Sequence, residues 1–245
     1  MKAFTGKVTK DEFIKEIKWH MEQDAFIKGT YTENNKNTFR GCAVGCSINS
    51  INNLLGTAYG YDEHIDMAET LQIPEWLVRL EDKIFEGLSE KDSKEWPLRF
   101  SEAINKGADL DKIKPAFLVY VLESMPKSPI SIKAVDRAIA LWKRDDLYSD
   151  AWKKESCAVY DAAAIAANAA YDTANAADAA DAAAAADAAA DAANAADAAY
   201  DTANAADAAA YVANAYAANA GAEKRGEIHK KFSDKLIELI KNCDS

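Results

Sequence analysis

The sequence predicts an all-α protein in which an N-terminal helical domain packs with an alanine-rich helical bundle or long helical hairpin. Three observations predict it. Apolar residues recur at helical spacing through the first 150 positions, with no convincing alternating run among them. From Trp152 to Ala220 alanine, the strongest helix former, dominates without a single Gly or Pro. The tail then returns to an ordinary amphipathic pattern through Phe232, Leu236, Ile237 and Ile240. The chain divides accordingly into an all-helical domain at 1–150, an Ala/Asp-rich repeat region at 151–222, and a C-terminal amphipathic helix at 223–245 that docks back on the N-terminal core.

The elements follow in order. Thr9-Lys10-Asp11-Glu12 has the form of a capping box, and Phe13, Ile14, Ile17, Met21 and Phe26 continue a helix towards Gly29. Residues 29–38 are rich in polar turn formers and read as a loop. A second helix runs from about Cys42 to Leu55, with Gly56 as its C-cap. Pro74 suits the first turn of a helix over Glu75 to Leu88, where its missing amide costs nothing. Further amphipathic stretches cover Lys94 to Asn105, Ile113 to Glu123 and Ile132 to Trp142, with Pro126 and Pro129 marking a break.

An unbroken helix through the alanine tract would reach about 100 Å, a length that needs a partner along it. Tyr171-Asp172-Thr173-Ala174-Asn175-Ala176-Ala177-Asp178 recurs at Tyr200-Asp201-Thr202-Ala203-Asn204-Ala205-Ala206-Asp207, an offset of 29 residues. Asp172 and Asp201 are N-cap candidates, so the tract is expected to fold into three helices with tight corners; the alternative is one helix repeating a surface, because 29 residues is close to eight turns. Asp178, Asp181, Asp187, Asp191, Asp197 and Asp207 give it an acidic face, while the alanine face lets backbones approach closely and favours self-association.

Charge narrows the function classes. Of the net charge of −11, nine negative charges come from Asp between Ser156 and Ala222, a span without Lys, Arg or Glu. No broad basic face exists, so direct nucleic-acid binding is not expected, whereas the acidic row suits a basic patch on another protein. Four unevenly spaced cysteines and an N-terminus without an apolar core segment lead to the expectation of a cytosolic protein with reduced thiols, and no apolar run predicts a membrane span.

Chemistry concentrates in Arg40-Gly41-Cys42-Ala43-Val44-Gly45-Cys46-Ser47. Its simplest role is close helix packing through small residues. As a binding corner, the first amides of the second helix with Tyr31, Lys36, Arg40, Cys42, Cys46 and Ser47, and with His20, Asp24 and His64 nearby, would hold a phosphate or carboxylate. As a catalytic corner, the helix dipole would lower the Cys42 pKa, and His20 or His64 would serve Cys42 or Cys46 as base with Asp24 or Asp62 as orienter. No metal or other cofactor is expected, because zinc on the two cysteines would need both His20 and His64. Arg79, Glu81, Asp82, Lys83 and Glu86 read as surface pairs.

The segments 40–47, Ile73-Pro74, 79–88, Trp96-Pro97 and Gly107-Ala108-Asp109-Leu110 together resemble a group of phage and bacterial proteins in which a similar N-terminal region precedes an alanine-rich tract. The group carries His at the position of Asn49, and no catalytic residue transfers from it. The resemblance implies a phage-encoded counter-defence role, exercised in the cytoplasm of a bacterial host cell. The resulting expectation is a non-enzymatic binding protein that sequesters a small nucleotide signal or occludes a host defence protein through its acidic face. The alternative is a cysteine-dependent enzyme using Cys42 or Cys46 with His20.

Overall fold

A computed structural model describes residues 1–35, 38–124, 132–156 and 221–243. The expectations placed on the alanine tract, including its helix count and the faces bearing Asp178, Asp181, Asp187, Asp191, Asp197 and Asp207, lie outside these residues. The described fold is all-α, with one small hairpin. The chain forms two compact units, Met1–Ile113 with His229–Ser245, and Lys114–Ile228.

The first unit opens with a segment held by backbone hydrogen bonds from Ala3 N to Ala108 O (3.0 Å) and from Phe4 N to Leu71 O (2.8 Å). Helix α1 (Lys10–Glu22) starts at the capping box, where Glu12 N donates to Thr9 Oγ1 and Thr9 N donates to Glu12 Oε2. It ends well before Gly29. Asp24 adopts a left-handed φ of 50°, and the following residues extend to pair with Gly41, which buries Phe26 through a bridge instead of a helical face. Strands β1 (Glu33–Asn35) and β2 (Thr38–Arg40) then form a short antiparallel ladder in a region expected to be loop.

Helix α2 (Ala43–Leu55) is central, buried along most of its length and closed by Gly56 at φ 66°. Helix α3 (His64–Leu71), which the sequence reading missed, packs on α2 and on α4 (Glu75–Gly87). Helix α5 (Glu90–Ala103) begins four residues before Lys94 because Ser89 caps it, accepting from Asp92 N at 3.1 Å. The core gathers Phe4, Phe13, Ile17, Ile48, Trp76, Phe85, Trp96 and Phe100, with Trp76 Nε1 donating to Asp111 in the 3-10 turn Leu110–Ile113.

The second unit contains α6 (Lys114–Glu123) and α7 (Ile132–Trp142), which pack together. Trp142, Tyr148 and Trp152 form an aromatic cluster, locked by Trp152 Nε1 donating to Leu141 O at 2.8 Å. Helix α8 (Gly221–Lys241) closes the chain, and its portion from His229 belongs to the first unit. There it buries Phe232, Leu236 and Ile240 and pairs Arg99 with Asp234 and Asp92 with Lys230. The His229 ring fills the space a Cβ on Gly87 would take.

Candidate functional site

The site is built on the chain that leads into α2. Gly41 N donates to Ala25 O, Ile27 N to Gly41 O and Cys42 N to Thr30 O, so the incoming segment is stitched across the start of the helix. This lays the Tyr31 carbonyl against Gly41 and Gly45, where a Cβ on either residue would overlap it. The paired glycines of the G-C-A-V-G-C run therefore admit a backbone, which is the packing role small residues perform.

The two thiols within that run have different neighbours. Cys42 is the N-cap of α2, and its Sγ accepts from Gly45 N at 3.4 Å. Cys46 Sγ donates to Gly41 O at 3.5 Å and to Ala25 O at 3.7 Å. The expected thiolate does not arise. Burial, then the neighbouring Asp82 charge, pushes the Cys42 thiol up, and burial pushes Cys46 up to about 12. A helix dipole at its usual strength of about 0.3–1 kcal/mol shifts a pKa by less than a unit and loses to that desolvation.

His20 does not serve either thiol. Its ring is fully buried among Trp19, Phe26 and Phe39, and neither ring nitrogen has a hydrogen-bond partner. Burial is the main cause that brings its pKa down to about 4. His20 is thus a neutral core histidine.

The remaining candidates separate into two places. Asp24 is exposed, and Lys94 beside it at 2.5 Å holds its carboxyl below the usual range. Arg40 lies nearby, donating to Asp24 O at 3.4 Å and facing Glu33 at 3.9 Å, so neither residue converges on the α2 amides. Ser47 is buried along α2, and Lys36 lies outside the described residues. Tyr31, Cys42 and His64 do come together. The Tyr31 ring meets His64 edge-on at 5.9 Å, and its hydroxyl is pushed up to about 12 by burial and then by Asp82.

The partners that join them come from α4 and correct the surface-pair expectation. Arg79 pairs with Glu75 at 2.6 Å, while Glu81 and Asp82 are only 1% and 7% exposed. Burial, then Asp82 and Glu86, raises the Glu81 carboxyl pKa well above its ordinary value. Asp82 Oδ2 lies 3.4 Å from His64 Nε2, and a ligand atom from each of Cys42, Asp82 and Glu86 lies within 4.8 Å of the other two. Helical spacing held a signal for this: Glu81 sits four residues from both Leu77 and Phe85, on an inward face. The resulting acidic surroundings oppose a phosphate at the α2 N-terminus.

A different part of α2 is open. A cavity of about 410 Å³ is lined by Asn49, Asn52, Asn53, Thr57, Ala58, Tyr59 and Tyr61. Asn52 shapes it by accepting from Thr57 Oγ1 and Tyr59 N and by donating to Tyr59 O. Asn53 donates to Asn49, and the Tyr61 ring lies 4.8 Å from that of Phe39. Comparison with protein-family models, curated proteins and solved structures finds no match. No helix among the described residues is long and apolar enough to cross a membrane.

Proposed function

We propose that the protein is a non-enzymatic binding protein whose N-terminal unit sequesters a small nucleotide-like ligand, in the counter-defence setting that the resemblance implies. The observation that carries this reading is the cavity of about 410 Å³ at the C-terminal half of α2. It is lined by carboxamides, a hydroxyl, a methyl group and phenol rings with no carboxylate, amine, imidazole or thiol among them. Its size falls within the usual range for small-molecule sites, and Asn with Tyr provides hydrogen bonds and a stacking surface suited to a base and ribose. The buried, protonated thiols and the partnerless His20 favour binding over catalysis. Occlusion of a host protein by the acidic tract is the other limb of this proposal, supported by its nine Asp without a compensating cation.

The test is to incubate the protein with cyclic and ADP-ribose-type nucleotide signals, separate the complex, denature it and analyse what is released. Intact recovery, lowered about tenfold by Asn49→Ala or Tyr61→Ala, agrees with sequestration. Release of a chemically altered ligand that becomes unaltered in Cys42→Ser would establish the enzyme instead. Failure to retain any signal, with one host protein captured through the tract, would leave only occlusion.

A further inference from the structure

We propose that Cys42, Asp82 and Glu86, with His64 as a further donor, form a zinc-class divalent cation site in the N-terminal unit. Three independent observations converge on it. The first is position: one ligand atom from each of Cys42, Asp82 and Glu86 falls within 4.8 Å of the others, on two separate elements, the start of α2 and the last turns of α4. The second is an orphan. Asp82 uses Oδ2 towards His64, while its Oδ1 is buried with no hydrogen-bond partner. Among the described residues no Lys or Arg pairs with Asp82. A buried carboxylate oxygen left without a donor is costly, and a bound cation removes that cost.

The third observation is the orientation of His64. Its Nδ1 lies 2.9 Å from Asp62 O, a carbonyl that only accepts, so Nδ1 carries the proton. The opposite nitrogen, Nε2, lies 3.4 Å from Asp82 Oδ2. A ring whose outer N–H is fixed by a backbone carbonyl and whose inner nitrogen faces a ligand carboxylate is the usual orientation of a metal-binding histidine.

The donor chemistry selects the metal. A thiolate combined with carboxylates and an imidazole suits zinc, whereas magnesium and calcium take oxygen donors alone. Binding converts the Cys42 thiol to thiolate, and its proton leaves to solvent as the sulfur–metal bond forms. Cys46 is not a donor, because its Sγ is directed at the carbonyls of Ala25 and Gly41. The site is independent of the Asn- and Tyr-lined cavity.

The test uses the full chain, stripped with a chelator and titrated with Zn²⁺ by calorimetry and with Co²⁺ by absorption. The expected result is one metal per chain and a near-ultraviolet thiolate-to-cobalt band. Cys42→Ser removes the band and weakens zinc by at least about 100-fold, and His64→Gln weakens it about tenfold. Cys46→Ser binds as the unaltered protein does. Glu86→Gln, at a half-buried position, reports on the site if Cys42→Ser or Asp82→Asn fails to fold by circular dichroism. Absence of metal uptake by the unaltered protein overturns the proposal. Survival of the band in Cys42→Ser, or its loss in Cys46→Ser, overturns it equally.

Discussion

The backbone carbonyl of Tyr31 occupies the space that a Cβ on Gly45 would require, so the chain entering α2 and the helix itself meet with no side chain between them. A backbone cannot step aside as the end of a flexible side chain can. Gly45→Ala is therefore expected to cost about 1–3 kcal/mol through overpacking. Thermal unfolding reads this as a drop of several degrees, and an unchanged midpoint would show that the segment carrying Tyr31 moves freely. Gly56→Ala meets no neighbouring atom, so its cost is confined to the left-handed backbone.

His20 gives the N-terminal unit an acid-sensitive term. Its folded pKa of about 4 lies below the 6.5 of the free side chain, so the unfolded chain binds the extra proton between those values. The stability it permits is fully present above pH 6.5 and is lost as pH falls towards 4, by roughly 3 kcal/mol. Urea unfolding at pH 7 and pH 4.5 should show this slope in the parent protein and a shallower one in His20→Leu. Equal slopes would mean that the ring reaches water.

Glu81 acts with the opposite sign. Its folded pKa is raised, so the proton it holds favours the folded state fully below the ordinary value of 4.5, and that benefit declines as pH rises above it. Glu81→Gln keeps the shape of the neutral acid and removes the decline. The variant should melt higher than the parent at pH 8 and close to it at pH 4. A lower melting point at pH 8 would show that the charged carboxylate is stabilised.

The contact of His229 with Gly87 couples α8 to α4. Gly87→Ala should destabilise the unit by about 1–3 kcal/mol, and adding His229→Ala should recover part of that loss because it vacates the space the new methyl needs. A double-mutant cycle in chemical denaturation measures the recovery, and strict additivity would place the two residues apart in solution.

The buried thiols predict slow chemistry. In a Cys157→Ser background, Cys42 and Cys46 should react with iodoacetamide at pH 7.5 at least about tenfold more slowly in the native protein than in urea. Fast native alkylation of Cys42 would reinstate a nucleophile at the start of α2.

Much of the helical framework was legible because its signals are local. The Thr9–Glu12 capping box, Gly56 at the end of α2 and the helix after Pro74 each depend on atoms within a few residues, so composition and spacing were sufficient. Helix α3 escaped because eight residues without a side-chain cap carry little periodic signal. The end of α1 escaped because Phe26 is buried by pairing with Gly41, fifteen residues away, and that bridge overrides the helical spacing.

The sequence by itself determined the helical class, the separation of an acidic alanine tract from the rest, and the small-residue corner at Gly41–Cys46. Only the tertiary structure decided which groups share that corner. His20 and His64 looked equivalent along the chain, yet one lies among aromatic rings and the other against Asp82. Glu81 and Asp82 resembled ordinary surface charges until α4 turned them inward beside Cys42. Local propensity acts over a few residues, whereas burial and proximity depend on contacts such as that of Cys42 with Asp82, about forty positions apart, and the burial these create pushes up the pKa of Cys42, Tyr31 and Glu81.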